Sequence, residues 1–280
     1  MPRKKFYPVQ RKIMVKQPAP LAPSLAIQVD KLLGQINHRL YRQSRVYEAK
    51  VSIDANVADG ITVDVYALAN TWYLQGALKT AKMVWDRAVA EEKAANDGRT
   101  ARWSDFKVRT GVPAAAEGFA VQYTKGALAE GTFTAGEFYD TIVSDASGVA
   151  HNFTLGVAGS SEYDIFAEYD RQSGTDTDPT NPSTGPYGGL LPNMSAVNAG
   201  SITDDGNLPP YNAASYGNLI WVKVGTLHLA SGRQKLSTGF FDAPMGKIIL
   251  TGVGTLDEAD IEVEIKSGDY KGVAAHNLME

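Results

Sequence analysis

The sequence predicts an all-β protein: an antiparallel jelly-roll β-sandwich with one long inserted α-helix (about 71–97) and a basic N-terminal arm. Three observations predict it. About ten short segments alternate apolar with polar residues, the period of half-buried strands. One long segment keeps helical spacing instead. The positive charge gathers at one end of the chain.

Residues 1–26 read as the arm. Arg3, Lys4, Lys5, Arg11, Lys12 and Lys16 fall in its first sixteen positions with no acidic residue among them, and Pro18, Pro20 and Pro23 follow. Proline at this density favours extended polyproline conformation, a semi-rigid spacer. Residues 24–42 read as a short helix capped by Ser24, with Ile27, Leu32, Leu33, Ile36 and Leu40 along one stripe. Arg39, Arg42 and Arg45 carry the basic zone past it.

The period then changes to two. Tyr47, Ala49, Val51 and Ile53 alternate with Glu48, Lys50, Ser52 and Asp54, and Ile61, Val63 and Val65 repeat the pattern after the Asp59-Gly60 turn. In 71–97, Leu74, Leu78, Ala81, Trp85 and Ala88 return at helical spacing, with Asn70 or Thr71 as cap and Gly98 at the end. Further strands are expected at 103–109, 118–124, 137–144, 151–158, 162–169, 218–230, 236–252 and 260–267. Residues 171–217, rich in Gly, Ser, Thr, Asn, Asp and Pro, read as a long surface loop. Residues 27–280 thus form one shell-like β domain carrying the helix and the loop. No internal repeat is present.

Charge divides the chain more sharply than its net value of -4 suggests. Residues 1–50 hold eleven Lys/Arg against two Asp/Glu; the rest holds sixteen against twenty-nine. A basic end on an acidic body suits contact with a polyanion, and equally a solvated tail or a nuclear-import signal such as Pro-Arg-Lys-Lys. There is no cysteine, hence no disulfide, thiolate ligand or Cys nucleophile. No apolar run reaches eighteen residues, and no apolar stretch follows the basic start, so neither a membrane helix nor a secretory signal is expected.

A search for catalytic motifs returns little. No nucleophile elbow, His-Glu-x-x-His, phosphate-binding glycine loop or Rossmann fingerprint occurs. His38, His151, His228 and His276 are scattered. Glu162, Asp164, Glu168 and Asp170 surround an aromatic-rich segment, as a glycosidase pair would, but the outer face of an ordinary strand carries charges the same way. Asp176 and Asp178, and Asp204-Asp205, offer oxygens to a cation or simply line a hydrophilic loop. Arg99, Arg102, Lys107 and Arg109 interleave with Trp103 and Phe106; this pattern can follow a single-stranded nucleic acid, or mark a strand with a solvated face. No enzyme activity, cofactor or metal is expected.

Two stretches, Arg102–Val108 (RWSDFKV) and Ser237–Leu250 (STGFFDAPMGKIIL), taken with the basic arm and the strand pattern, resemble capsid proteins of small circular Rep-encoding single-stranded DNA viruses. The resemblance covers most of the chain in layout and about two dozen positions in residues. It implies a single jelly-roll subunit, a homo-oligomeric icosahedral shell, a genome, DNA rather than RNA in that family, bound through the arm, and no catalytic residues. It also implies a virion location, with passage through the host nucleus or cytoplasm, and no membrane insertion. The residues expected on nucleic acid are Arg3, Lys4, Lys5, Arg11, Lys12, Lys16, Arg39, Arg42 and Arg45. The arm is shorter and less arginine-rich than many in that family. A carbohydrate- or receptor-binding β-sandwich, of adhesin or phage-tail type, remains the alternative.

Overall fold

The computed structural model describes residues 8–16, 24–57, 59–98, 101–110, 115–116, 120–121, 141–144, 148–155, 162–173, 220–253 and 259–279. In chain order they form β1 (Lys12–Lys16), β2 (Ser24–Gln28), α1 (Val29–Asn37), β3 (Arg45–Val57), β4 (Ile61–Leu68), α2 (Trp72–Ala95), β5 (Ala115–Ala116), β6 (Ala120–Val121) and β7 (Ile142–Ser144). There follow β8 (Ala150–Thr154), β9 (Glu162–Asp164), α3 (Ile165–Ser173), β10 (Trp221–Leu229), β11 (Gly232–Ser237), β12 (Phe241–Pro244), β13 (Lys247–Thr251), β14 (Ala259–Ile265) and β15 (Ala275–Asn277).

The fold is mostly β, a sandwich of two sheets with few helices. One sheet runs β11-β3-β14-β1-β6, with β12 and β15 also paired to the long β3; the other runs β10-β4-β13-β2-β5. Apart from the short parallel β5, all these pairs are antiparallel. Alternation explains the packing. Ile13 and Val15 of β1, Tyr47 to Val57 at odd positions of β3, and Ile261, Val263 and Ile265 of β14 point inward. They meet Leu25 and Ile27 of β2, Val63 and Val65 of β4, and Ile248 and Leu250 of β13 in one apolar core. At about 25 cal/mol per Å² of apolar area buried, this core supplies most of the driving force for folding.

Outside, the first sheet carries a ladder of charge. Lys12 sits directly opposite Glu264, which also faces Lys50. Its carboxylate lies 3.5 Å from Lys12 and 3.2 Å from Lys50; Lys235 reaches Glu262 at 3.5 Å. Cross-strand pairs of this kind contribute a few tenths of a kcal/mol up to about 1 kcal/mol each.

Between β4 and β10 the chain builds a second apolar cluster. Leu74, Ala77, Leu78 and Ala81 of α2 pack with Phe106, Val108, Phe153, Leu155, Ile165 and Phe166. Tyr73 stacks on Phe166 at 5.3 Å. A small sheet, β7-β8-β9, belongs to this region. Gly76 permits the close approach of α3: a Cβ there would lie 2.7 Å from the Tyr169 hydroxyl. Thr71 caps α2 by accepting from the Leu74 N–H. At its far end Gly98 donates to Lys93 O, a Schellman closure with Asp97 (φ 52) as the left-handed residue, one position earlier than the sequence suggests.

Several expectations are corrected. The arm does not run to residue 26: Lys12–Lys16 is a strand of one sheet and Ser24–Gln28 a strand of the other. Ile13 and Val15 obey the two-residue period, and burying them outweighs leaving the segment solvated. The helix expected over 24–42 is confined to Val29–Asn37, because 24–28 is taken by β2. Of 162–169 only Glu162–Asp164 is strand. Asp164 accepts from the Phe166 N–H and starts α3, which turns Ile165, Phe166 and Tyr169 onto α2. Residues 103–109 form no strand beyond a single bridge at Arg109. The stretch 236–252 holds only the end of β11 and all of β12 and β13, since Met245 and Gly246 (φ 57 and 65) turn the chain from one sheet to the other. Residues 171–173 of the expected loop end α3, and 174–217 lie outside the described residues. β15 was not foreseen.

Candidate nucleic-acid interface

The basic residues chosen from sequence part company in the structure. Arg3, Lys4 and Lys5 lie outside the described residues. Lys12 projects from β1 into the carboxylate ladder, 59% exposed but with Glu262 and Glu264 as neighbours. Lys16 closes β1 opposite Ala120. The Arg11 carbonyl accepts from the Ile265 N–H. Arg39, Arg42 and Arg45 do come together, on the connection from α1 to β3.

That connection is stitched to a tight turn near the other end of the chain. Tyr270 and Val273 exchange both backbone hydrogen bonds, at 3.1 and 3.0 Å, around Lys271 and Gly272. Both central residues have positive φ, 50° and 91°, the signature of a type I′ turn. The Tyr41 hydroxyl donates to Lys271 O (3.2 Å), the Arg42 N–H donates to the Tyr270 hydroxyl (3.1 Å), and Lys271 Nζ donates to Leu40 O. The Tyr47 hydroxyl holds the Arg42 carbonyl from below at 2.6 Å. At about 1 kcal/mol net per bond, this fixes the two segments against each other.

Cations and rings alternate on the surface so formed. Tyr41 and Tyr270 meet edge to face at 6.2 Å. The Arg45 guanidinium lies 4.1 Å above the Tyr270 ring and donates to Ala275 O at 3.3 Å. Lys271 Nζ sits 5.8 and 5.5 Å from the Tyr41 and Tyr270 rings. Partial burial, then the repulsion of Arg42, lowers the Lys271 ammonium from its ordinary value, with Asp105 opposing and Arg39 and Arg45 adding to the fall. Among the described residues no carboxylate lies within ion-pair distance of Arg42, Arg45 or Lys271. Lys271, Tyr270 and Tyr41 escaped the sequence reading; a Lys-Gly pair between two short segments was the only signal.

The described N-terminal residues are bonded to the end of α1. The Gln10 N–H donates to Asn37 Oδ1 (2.8 Å) and Gln10 O accepts from Asn37 Nδ2 (3.0 Å). Asn37 closes α1 two residues before Arg39.

A second basic group lies inside the protein. Lys107, 4% exposed, donates to Asp30 Oδ2 at 2.6 Å and to Tyr41 O at 3.3 Å. Lys247, fully buried, donates to Val108 O at 2.8 Å. Gln43 exchanges bonds with both backbone groups of Val108. Burial alone would raise the Asp30 carboxyl, but Lys107 and Lys247 overcome it and hold it below the usual value. Asp105, 3.9 Å from Lys107, is raised by burial. Lys107 and Phe106 therefore do not line a nucleic-acid track; Arg109 faces Glu162 at 3.6 Å, and Arg102 covers Trp103.

The carboxylates considered for catalysis separate likewise. Glu162 faces Arg109, Asp164 caps α3 and Glu168 lies on α3. His228 touches Thr62 Oγ1 on the sheet surface, and His151 stacks on Tyr163. Among the described residues no group of three or more acidic, His or Cys side chains could hold a metal, and no helix is long and apolar enough to cross a membrane. Asp176, Asp178, Asp204 and Asp205 lie outside the described residues. No family model, no curated protein and no solved structure matches the chain.

Proposed function

We propose that the protein is a viral coat subunit: a jelly-roll shell domain that self-assembles and holds a nucleic-acid genome against its basic N-terminal side. The strand connectivity supports the jelly-roll part. Take the principal strands in chain order as β1, β2, β3, β4, β10, β11 with β12, β13 and β14. First pairs with last, β1 with β14; β2 pairs with β13; β3 pairs with β11 and β12; β4 pairs with β10. This is one long antiparallel ribbon. Rolled up, its edges meet where β14 joins β3 and β13 joins β4. Such a rolled ribbon is the jelly roll of capsid and lectin domains. In this reading α2 belongs to an insertion at the ribbon's far end.

The observation that carries the function is the gathering of Arg39, Arg42, Arg45 and Lys271 on one surface, with Gln10 of the N-terminal segment bonded to Asn37 two residues before Arg39. A shell must attract a polyanion on one side while its acidic remainder keeps subunits soluble. Exposed Trp72 and Met83, eleven residues apart and so on one stripe of α2, offer apolar area for a neighbouring subunit.

The test is purification of the full chain at high salt followed by dilution to low salt. Light scattering and negative-stain microscopy should report closed particles, and the absorbance ratio should report nucleic acid within them. A species of monomer size at every salt concentration, free of nucleic acid or retained on a sugar column, would overturn the proposal.

A further inference from the structure

We infer that Lys271, with Arg42 and Arg45, forms a phosphate-binding site on the folded body for the backbone of a single-stranded nucleic acid. The inference rests on the coat reading for its ligand, and deepens it by placing a contact outside the arm.

Backbone geometry is the first reason. Position 271 is the first central residue of a type I′ turn, where Asn, Asp or Gly is favoured because φ is positive. A lysine there is strained, and strain at an exposed turn calls for a role beyond the turn itself. Side-chain order is the second. Lys271 is held by Leu40 O and the two tyrosine rings, and Arg45 by Tyr270 and Ala275 O. These side chains are ordered before any ligand arrives, which lowers the entropy cost of binding. Unbalanced charge is the third. Arg42, Arg45 and Lys271 share one surface with no carboxylate within ion-pair distance among the described residues, and Asp105, an acidic group that acts on Lys271 and Arg42, is only 8% exposed and raised by burial. Their mutual repulsion opposes folding unless an anion relieves it.

The surface presents an exposed ammonium, an exposed guanidinium and a second guanidinium 4.1 Å above a ring. Planar guanidinium groups pair with phosphate oxygens in bidentate fashion and the ammonium acts as a point charge. A linear phosphodiester fits this row.

The experiment uses the full chain and fluorescein-labelled dT20 over a salt series. Lys271→Asn replaces Lys-Gly by Asn-Gly, the preferred type I′ pair, so the melting temperature should hold or rise. Affinity should nevertheless fall about fivefold at 0.1 M salt, and the slope of log K against log salt should shrink by about 0.7. Arg42→Gln, whose backbone bonds are untouched, should act alike, and the double variant should lose about 1.4 in slope. Bound dT20 should slow acylation of Lys271 relative to Lys93 on α2.

An unchanged slope in the double variant, with wild-type binding intact, overturns the body site while leaving genome contact by the arm. Loss of binding to a heparin fragment of matched charge, with dT20 binding unaltered, overturns it in favour of a sulfated polysaccharide. Absence of dT20 binding by the wild-type chain overturns both this site and the nucleic-acid reading.

Discussion

Two groups of basic side chains meet at Tyr41 and do opposite things. Below it, Lys107 donates to the Tyr41 carbonyl and to Asp30, with Lys247 and Gln43 completing a buried polar network. Above it, Lys271 lies over the Tyr41 ring beside Arg42 and Arg45, on the surface. The interior lysines are matched by a carboxylate and backbone carbonyls; the surface ones face rings, two backbone carbonyls and one another. Charge count is the same currency in both places. What differs is the partner, and the partner decides between holding the fold together and holding a ligand.

The largest effect should come from breaking the buried side. Lys107→Met takes away the ammonium hydrogen-bonded to Asp30, in a site that is 1% exposed, and leaves only Lys247 and Lys31 to favour the ionised carboxylate. Removing one partner of a buried pair costs about 3–5 kcal/mol, and chemical denaturation should report a loss of that size. Lys107→Met with Asp30→Leu should recover part of it. The pH dependence has a definite sign. The folded Asp30 carboxyl is held low, so its contribution is present above the unfolded carboxylate value and is lost as pH falls through the lower folded value. In Lys107→Met the contribution of that pair to acid sensitivity should disappear. If Lys107→Met costs no more than a surface substitution, the contrast between the two groups fails.

Sequence made the two groups look alike for a physical reason. Lys107 stands in an alternating, charged stretch, and its partner Asp30 is 77 positions away, so burial of that lysine depends on a tertiary contact no local period reports. Regular alternation made β3, β4 and β14 readable, and helical spacing with a Thr cap made α2 readable. In Lys12–Lys16 the charges at both ends drew attention from Ile13 and Val15 between them, which put the segment in a sheet. Ile165, Phe166 and Tyr169 are spaced for a helix face, but Tyr163 and Ile165 also fit an alternation; Asp164 as a cap decides for the helix. Of the interface, the arginines at 39, 42 and 45 were legible as a run of charge. Lys271 and Tyr270 were not, because they join it only through pairing of chain ends some 230 residues apart.

The next effect tests the surface group through its support. Gly268 packs so closely that a Cβ would lie 2.5 Å from Ala274 Cα, at the base of the turn carrying Lys271. Gly268→Ala must displace that backbone, and a loss of about 1–3 kcal/mol is expected in thermal or chemical unfolding. Because the turn moves, dT20 affinity should fall with it. Full stability with full affinity would mean that the turn is not held as described, and the surface group would lose its ordered character.

Asp105 lies between the groups and sharpens the comparison further. Its Oδ2 has no hydrogen-bond partner among the described residues, and burial raises its carboxyl. An acid raised in the folded state favours folding most below its unfolded value; that advantage fades as pH rises towards the folded value. Asp105→Asn removes the buried charge, so the melting temperature at pH 7 should rise and its decline from acid to neutral pH should flatten. It also removes the acidic group facing Arg42 and Lys271, so dT20 affinity should rise modestly rather than fall. A lower melting temperature at pH 7 would mean that the 3.9 Å contact with Lys107 outweighs desolvation.

The smallest effect separates Lys12 from Lys271. Lys12 is exposed and lies between Glu262 and Glu264, while Lys50 also serves Glu264 at 3.2 Å. Burial would raise the Glu264 carboxyl, but Lys50 foremost, with Lys12, holds it low, so this stabilisation is lost as pH falls through the lowered value. Lys12→Gln leaves Lys50 in place, and exposed pairs are worth about 0–1 kcal/mol, so stability should change by less than that. A cation already facing two carboxylates releases few counterions when a phosphate approaches. The salt slope of dT20 binding should therefore change less for Lys12→Gln than for Lys271→Asn. Equal losses would place β1 on the nucleic-acid surface after all, and charge count, not the partner, would govern both groups.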